Sequence, residues 1–294
     1  MPVQTLRLPA RDGYPLAATL FLPDAPPRAA VLINSAMAVP RRYYAPFAQY
    51  LAGRGLAVLT YDYRGVDESR DRHWRGIDAD YRDWGEQDLA GMLDWMSQRF
   101  AGLELACLGH SAGGQLFGLA DNNRLASRAM ALASGSGWHG HWPWAQRLKL
   151  LPFWYAFLPG ATRLMGYFPG RWFGMQPLPG GVARQWARFA RNRHYISTEA
   201  GEPLRTHFHA YRGPMRFVAI SDDRFYAPLP AVRALAGYYA NAETEVVIRQ
   251  PREWHMARID HFGFFRDSMN RAGWDEVAGW LAGQEPVGER STTV

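Results

Sequence analysis

The sequence predicts an α/β protein with a mostly parallel sheet and helices on both faces. Three observations carry this expectation. Short runs dominated by apolar residues recur at 29–34, 56–61, 103–108 and 128–133, interrupted only by Glu104 and Arg128 among charged residues, the pattern of strands buried on both faces. Stretches with helical apolar spacing fall between them. The alternation then stops for about 75 residues crowded with aromatics, and resumes near residue 211.

The elements follow in order. Residues 3–8 and 16–22 flank Asp12-Gly13 and predict a β-hairpin. A strand over 29–34 leads to a helix over 43–51, whose face carries Tyr44, Phe47, Ala48 and Leu51 and which stops at Gly53. A strand over 56–61 precedes a helix over 88–100, with Leu89, Met92, Leu93 and Met96 on one stripe. Strands over 103–108 and 128–133 follow. After the break come a strand over 216–221, a helix over 229–239, a strand over 244–249 and a helix over 274–281. The domain expectation is a core of residues 1–134 and 211–294, interrupted by an aromatic-rich insert at 135–210. There is no internal repeat and no low-complexity linker.

Composition excludes several classes. With 294 residues and 48% hydrophobic positions the chain can bury a full core, and it is not a disordered sequence. Cys107 is the only cysteine, so no disulfide framework exists, and a lone thiol fits a reducing, cytoplasmic setting. The net charge is +6, carried by arginines scattered along the chain with Lys149 the only lysine. No basic run of five appears, so a solvated basic surface is expected rather than a nucleic-acid partner. Residues 1–12 contain no apolar core of a secretory signal. The uncharged stretch 150–162 is 13 residues long and broken by Pro152, Pro159 and Gly160. A bilayer span needs roughly 17–25 apolar residues, so no stable membrane insertion is expected. Few cations neighbour 150–158 in sequence, which weighs against a membrane-surface role.

Chemistry concentrates at Gly109-His110-Ser111-Ala112-Gly113-Gly114, a G-x-S-x-G between a predicted strand and a helix. A serine on so sharp a turn needs glycine neighbours, because a Cβ at 109 or 113 would meet backbone. The turn raises the hydroxyl and aims a helix N-terminus at developing negative charge. Serine becomes nucleophilic only when a base takes its proton. Of nine histidines, His261 follows the last strand, His255 is a weaker candidate, and His110 sits beside the nucleophile but points elsewhere. A carboxylate must hold the base's tautomer. Asp223 is favoured, because it lies a residue further past the strand end than Asp222, which remains the alternative.

These segments resemble the α/β-hydrolase family along nearly the whole chain. The matching pieces are Ile33-Asn34-Ser35-Ala36-Met37, Tyr61-Asp62-Tyr63-Arg64-Gly65, the Ser111 turn, Asp222-Asp223 and the His261 loop. Arg42-Tyr43-Tyr44, Ala187-Arg188 with Tyr195, and His261-Phe262-Gly263-Phe264-Phe265 resemble a bacterial group of α/β-hydrolases of undefined substrate. The resemblance implies a Ser111, His261, Asp223 triad. It also implies an oxyanion hole from the backbone N–H groups of Ala112 and, after the third strand, Met37, with Ala36 next. Two positions depart from the family pattern. Asn34-Ser35-Ala36-Met37 stands where many relatives carry His-Gly, and Asp67 replaces a glycine in Arg64-Gly65-Val66-Asp67-Glu68-Ser69.

In this family such an insert commonly forms a helical cap, which would put an apolar pocket over Ser111 or fold its aromatics into a small core of its own. His139-x-His141 and His207-x-His209 have no Asp, Glu or Cys within four residues, so no metal and no cofactor is expected. Cys107 reads as a small buried hydrophobe, and Asp62 and Arg64 as a structural pair. The expected activity is serine-dependent hydrolysis of a hydrophobic carboxylic ester. An acyltransferase or thioesterase, and a non-catalytic binder of a hydrophobic ligand, are the alternatives.

Overall fold

The structure, a computed structural model, describes residues 1–70, 72–173 and 175–284. Residues 71 and 285–294 of the expected core, and residue 174 of the expected insert, lie outside them. Strands β1 (Val3–Pro9) and β2 (Pro15–Phe21) make the hairpin, followed by β3 (Ala29–Asn34), α1 (Ala45–Ala52) and β4 (Leu56–Tyr61). Helix α2 (Tyr81–Asp83) runs through a π-helical stretch, Trp84–Leu89, into α3 (Ala90–Arg99). Then come β5 (Leu105–His110), α4 (Ala112–Leu116) and β6 (Arg128–Leu132). The insert holds α5 (Trp144–Pro152), a π-helical turn Phe153–Phe157, α6 (Leu158–Met165), the short strands β7 (Tyr167–Phe168) and β8 (Leu178–Pro179), α7 (Gly180–Arg191) and α8 (Thr206–Ala210). Strand β9 (Pro214–Ile220), α9 (Leu229–Ala236), β10 (Glu243–Arg249) and α10 (Arg271–Leu281) complete the chain.

The eight-stranded sheet has the order β1-β2-β4-β3-β5-β6-β9-β10. β2 is antiparallel to both β1 and β4, and every other pairing is parallel. Alternate residues of one strand feed different cores. In β3, Val31 and Ile33 pack with Phe47, Leu51 and Trp274 on one face, while Ala30 and Leu32 join Leu93 and Met96 on the other. Burial on both faces is why these strands read as unbroken apolar runs. The chain steps outward from β3 to β4, then returns to place β5 on the other side of β3. Strand order therefore reverses between β3 and β5, the crevice where open α/β sheets bind their ligands.

Three differences from the sequence reading have local causes. β5 ends at His110 because its ladder with β6 continues to His110 opposite Leu132. The helix expected over 88–100 begins at Tyr81, where Asp80 accepts from Arg82 and Asp83 N–H at 2.8 and 3.1 Å and Asp83 accepts from Asp80 N–H in return. Asp62 and Arg64 do not pair with each other. Asp62 receives the Arg41 backbone N–H at 2.6 Å and its guanidinium, whereas Arg64 bridges Asp88 and Asp12. Within the insert, Phe153, Trp154, Phe168 and Trp186 form edge-to-face ring contacts at 4.8–6.4 Å, and Trp154 and Phe168 are buried in one cluster with the sheet-core residues Leu32 and Leu116.

Candidate active site

The turn after β5 carries the first element of the site. Ser111 has φ 52° and ψ −116°, a strained backbone for a non-glycine residue. Its N–H donates to Leu132 O at 3.1 Å, and its own carbonyl accepts from Ser134 Oγ at 2.6 Å, which holds the turn against β6. The flanking glycines are required by contact. A Cβ on Gly109 would lie 2.4 Å from Gly114 N, and one on Gly113 would lie 2.3 Å from Asn34 O at the end of β3. Gly113→Ala should therefore force the turn away from β3 and lower stability by about 3 kcal/mol. Gly160→Ala in α6, where a Cβ meets nothing within 4 Å, should leave stability unchanged or raise it slightly. Equal urea midpoints for the two variants would refute the contact argument.

The His261 loop supplies the second element. His261 Nδ1 lies 2.6 Å from Asp223 Oδ2, and both side chains are buried. Asp223 Oδ1 accepts the Tyr226 N–H at 3.0 Å, and the Tyr226 ring stacks on His261 at 4.6 Å. Asp222 is used differently. Its two oxygens accept the Ile259 and Asp260 N–H groups at 2.9 and 3.1 Å, and so shape the loop that presents His261, where Asp260 has φ 53°. Asp223 therefore contacts the imidazole, and Asp222 supports it from behind. Among the described residues, Ser111 Oγ makes no hydrogen bond to His261. Contacts of this kind often tighten only with substrate bound.

His110, expected to point away, joins three loops. It is fully buried, with Nδ1 2.9 Å from Tyr44 Oη and Nε2 2.9 Å from His261 O. Burial, and secondarily the neighbouring His261, push its pKa well below the ordinary value of 6.5, so the ring is neutral. A carbonyl can only accept, so Nε2–H donates to His261 O and Nδ1 accepts from Tyr44. Tyr44 Oη in turn accepts the Ala36 N–H at 2.7 Å. Next to it, Tyr43 Oη donates to Phe262 O at 2.5 Å, so the Tyr43-Tyr44 pair ties the loop after β3 to the His261 loop. Asp67, where the family pattern has glycine, keeps the left-handed backbone with φ 41° and ion-pairs with Arg42.

The neutral state of His110 has a pH consequence. Below pH 6.5 the unfolded chain takes up a proton that folded His110 refuses. Its contribution is thus complete above the ordinary value and is lost as pH falls toward the depressed one. The wild type should lose stability more steeply than His110→Asn as pH falls from 6 to 5, by at most about 1.4 kcal/mol per pH unit. Parallel urea stabilities across that window would sink the assignment.

The Ala36 N–H is committed to Tyr44. Among the described residues, the Met37 and Ala112 N–H groups have no intramolecular acceptor. Ala112 opens α4 and Met37 follows β3, so both donors lie at the reversal crevice. Tyr195, at φ 54° and fully buried, donates to Gln115 Oε1 at 2.8 Å, which anchors the insert to the helix behind Ser111. His255 is exposed. Cys107 is buried, its thiol pushed up to about 12 by burial. Among the described residues no cluster of three His, Cys, Asp or Glu side chains could hold a metal, and no helix is long and apolar enough to cross a membrane.

Known proteins resemble this chain in fold. Residues 25–165 match the family model described as serine aminopeptidase, S33. The alpha/beta hydrolase GrgF from Penicillium sp. sh18 superposes with a TM-score of 0.63 at 16% identity, over 97% of this chain and 99% of that one. This chain has the α/β-hydrolase fold. An esterase from Exiguobacterium antarcticum (EaEST) gives a TM-score of 0.58 at 16% identity, over 95% and 99% of the two chains. The Pyrococcus furiosus esterase Pf2001 gives 0.58 at 12% identity, over 96% and 93%. No curated protein sequence matches the chain.

Proposed function

We propose that this α/β-hydrolase is a serine hydrolase of carboxylic esters with a hydrophobic acyl or alcohol part. The observation that carries the reading is the buried His261–Asp223 pair at 2.6 Å, whose loop is bonded through His110 to the turn that bears Ser111. Ser111 Oγ attacks the ester carbonyl while His261 Nε2 takes its proton, and Asp223 stabilises the imidazolium through Nδ1–H. The Ala112 and Met37 N–H groups receive the oxyanion. Collapse expels the alcohol, protonated by His261. Water, deprotonated by the same imidazole, then releases the acid and restores Ser111.

The insert serves as a cap, with aromatic side chains supporting a hydrophobic substrate. The matched family's description raises the hydrolysis of peptides with a free amino terminus. An α-ammonium group needs a carboxylate to receive it, and residues 122–198 contain no Asp or Glu. That favours a neutral, apolar substrate, as does the likeness to esterases.

The test is turnover of p-nitrophenyl esters of graded chain length beside aminoacyl p-nitroanilides. Ester turnover that is lost in Ser111→Ala is expected. Turnover of the anilides alone would replace the ester reading, and none of either above the variant would favour a binding role.

A further inference from the structure

We propose that the outer face of the insert is a docking surface for an anionic lipid bilayer. The proposal does not depend on the hydrolase reading. From α5 through α6, every fourth residue is apolar and faces outward. Trp144, Leu148, Pro152, Ala156, Gly160 and Leu164 form the row. Trp144 is 73% exposed and Leu164 84%. Trp172, 67% exposed, lies beside this row, and with Phe157, Leu164 and Met165 it lines a groove of about 550 Å³. Isolated exposed apolar side chains are ordinary, but a contiguous face of this kind marks an interaction site.

Charge selects the partner. Arg147, Lys149, Arg163 and Arg171 are exposed around the row, and among the described residues none makes a salt bridge. Between 122 and 198 the chain has ten basic residues and no acidic one. An apolar ridge with Trp at its edge and unpaired cations at its flanks matches an interface whose surface is negative and whose interior is hydrocarbon. The cations missing around 150–158 in sequence are supplied by neighbouring turns and by the β7–β8 connection. No helix among the described residues can span a bilayer, so attachment is peripheral, with the row dipping into the headgroup boundary.

The test is vesicle flotation of the whole protein at low ionic strength. It compares equal parts phosphatidylglycerol and phosphatidylcholine with phosphatidylcholine alone. Wild type should float with the anionic vesicles only and be released by salt. Arg147→Glu with Lys149→Glu should weaken partitioning roughly fivefold for each cation lost. Leu164→Glu with Trp172→Glu should abolish it. An unchanged melting transition and far-UV circular dichroism spectrum show that the variants are folded. No flotation of wild type, equal flotation with both vesicle types, or variants that bind like wild type would overturn the proposal. So would self-association that Leu164→Glu disrupts without any vesicle binding, because a second copy would then cover the face.

Discussion

Replacing Ser111 by alanine should lower kcat/KM on the best p-nitrophenyl ester by about 10⁵ to 10⁶-fold. The proposed oxyanion donors, the N–H groups of Ala112 and Met37, are backbone groups and survive the change, so a small rate above water should remain. Stability should move little. Among the described residues Ser111 Oγ makes no hydrogen bond, and the φ of 52° is equally strained for alanine. An urea midpoint within error of wild type, with turnover gone, assigns the loss to chemistry. A variant retaining more than a hundredth of the wild-type rate would remove Ser111 as nucleophile.

Asp223→Asn should cost about 10⁴-fold in kcat, because asparagine can still contact Nδ1 but carries no charge to stabilise the imidazolium and can hold the wrong tautomer. Asp222→Asn removes one of two acceptors for the Ile259 and Asp260 N–H groups. It should lower stability by about 1–2 kcal/mol, with turnover down tenfold or less. Adjacent carboxylates thus give opposite signatures, one kinetic and one thermodynamic. Collapse of turnover in Asp222→Asn with Asp223→Asn near wild type would reverse the roles.

The strand and helix order was legible because burial on both faces leaves continuous apolar runs, as at Ala29–Asn34 and Leu56–Tyr61, which the structure reproduces end for end. The G-x-S-x-G turn was legible because Gly109 answers a steric demand met within the turn itself at Gly114, although the contact that requires Gly113 comes from Asn34, far back in the chain. Pairings across the sheet were not. Arg41 reaches Asp62 over 21 positions, and nothing in their spacing signals it. The linking role of His110 was hidden for the same reason. Its partners are a tyrosine 66 residues away and a carbonyl 151 residues away, and a carbonyl has no sequence signature. The choice between Asp222 and Asp223 needed the loop's path. The start of the helix at Tyr81 could have been found, since Asp80 followed three residues later by Asp83 places a carboxylate at the cap and at the third helical position. The division of the insert's aromatics into rings buried with the main core and an exposed row depends on which side each ring faces, and helical spacing broken by π turns does not fix that.

The most direct test of the Ser111–His261–Asp223 assignment is intact-mass labelling with a fluorophosphonate, followed by peptide mapping. A single adduct on Ser111, absent from Ser111→Ala and much slower in His261→Ala, is the predicted result. An adduct on another serine, or ester turnover that continues after complete labelling of Ser111, would contradict it.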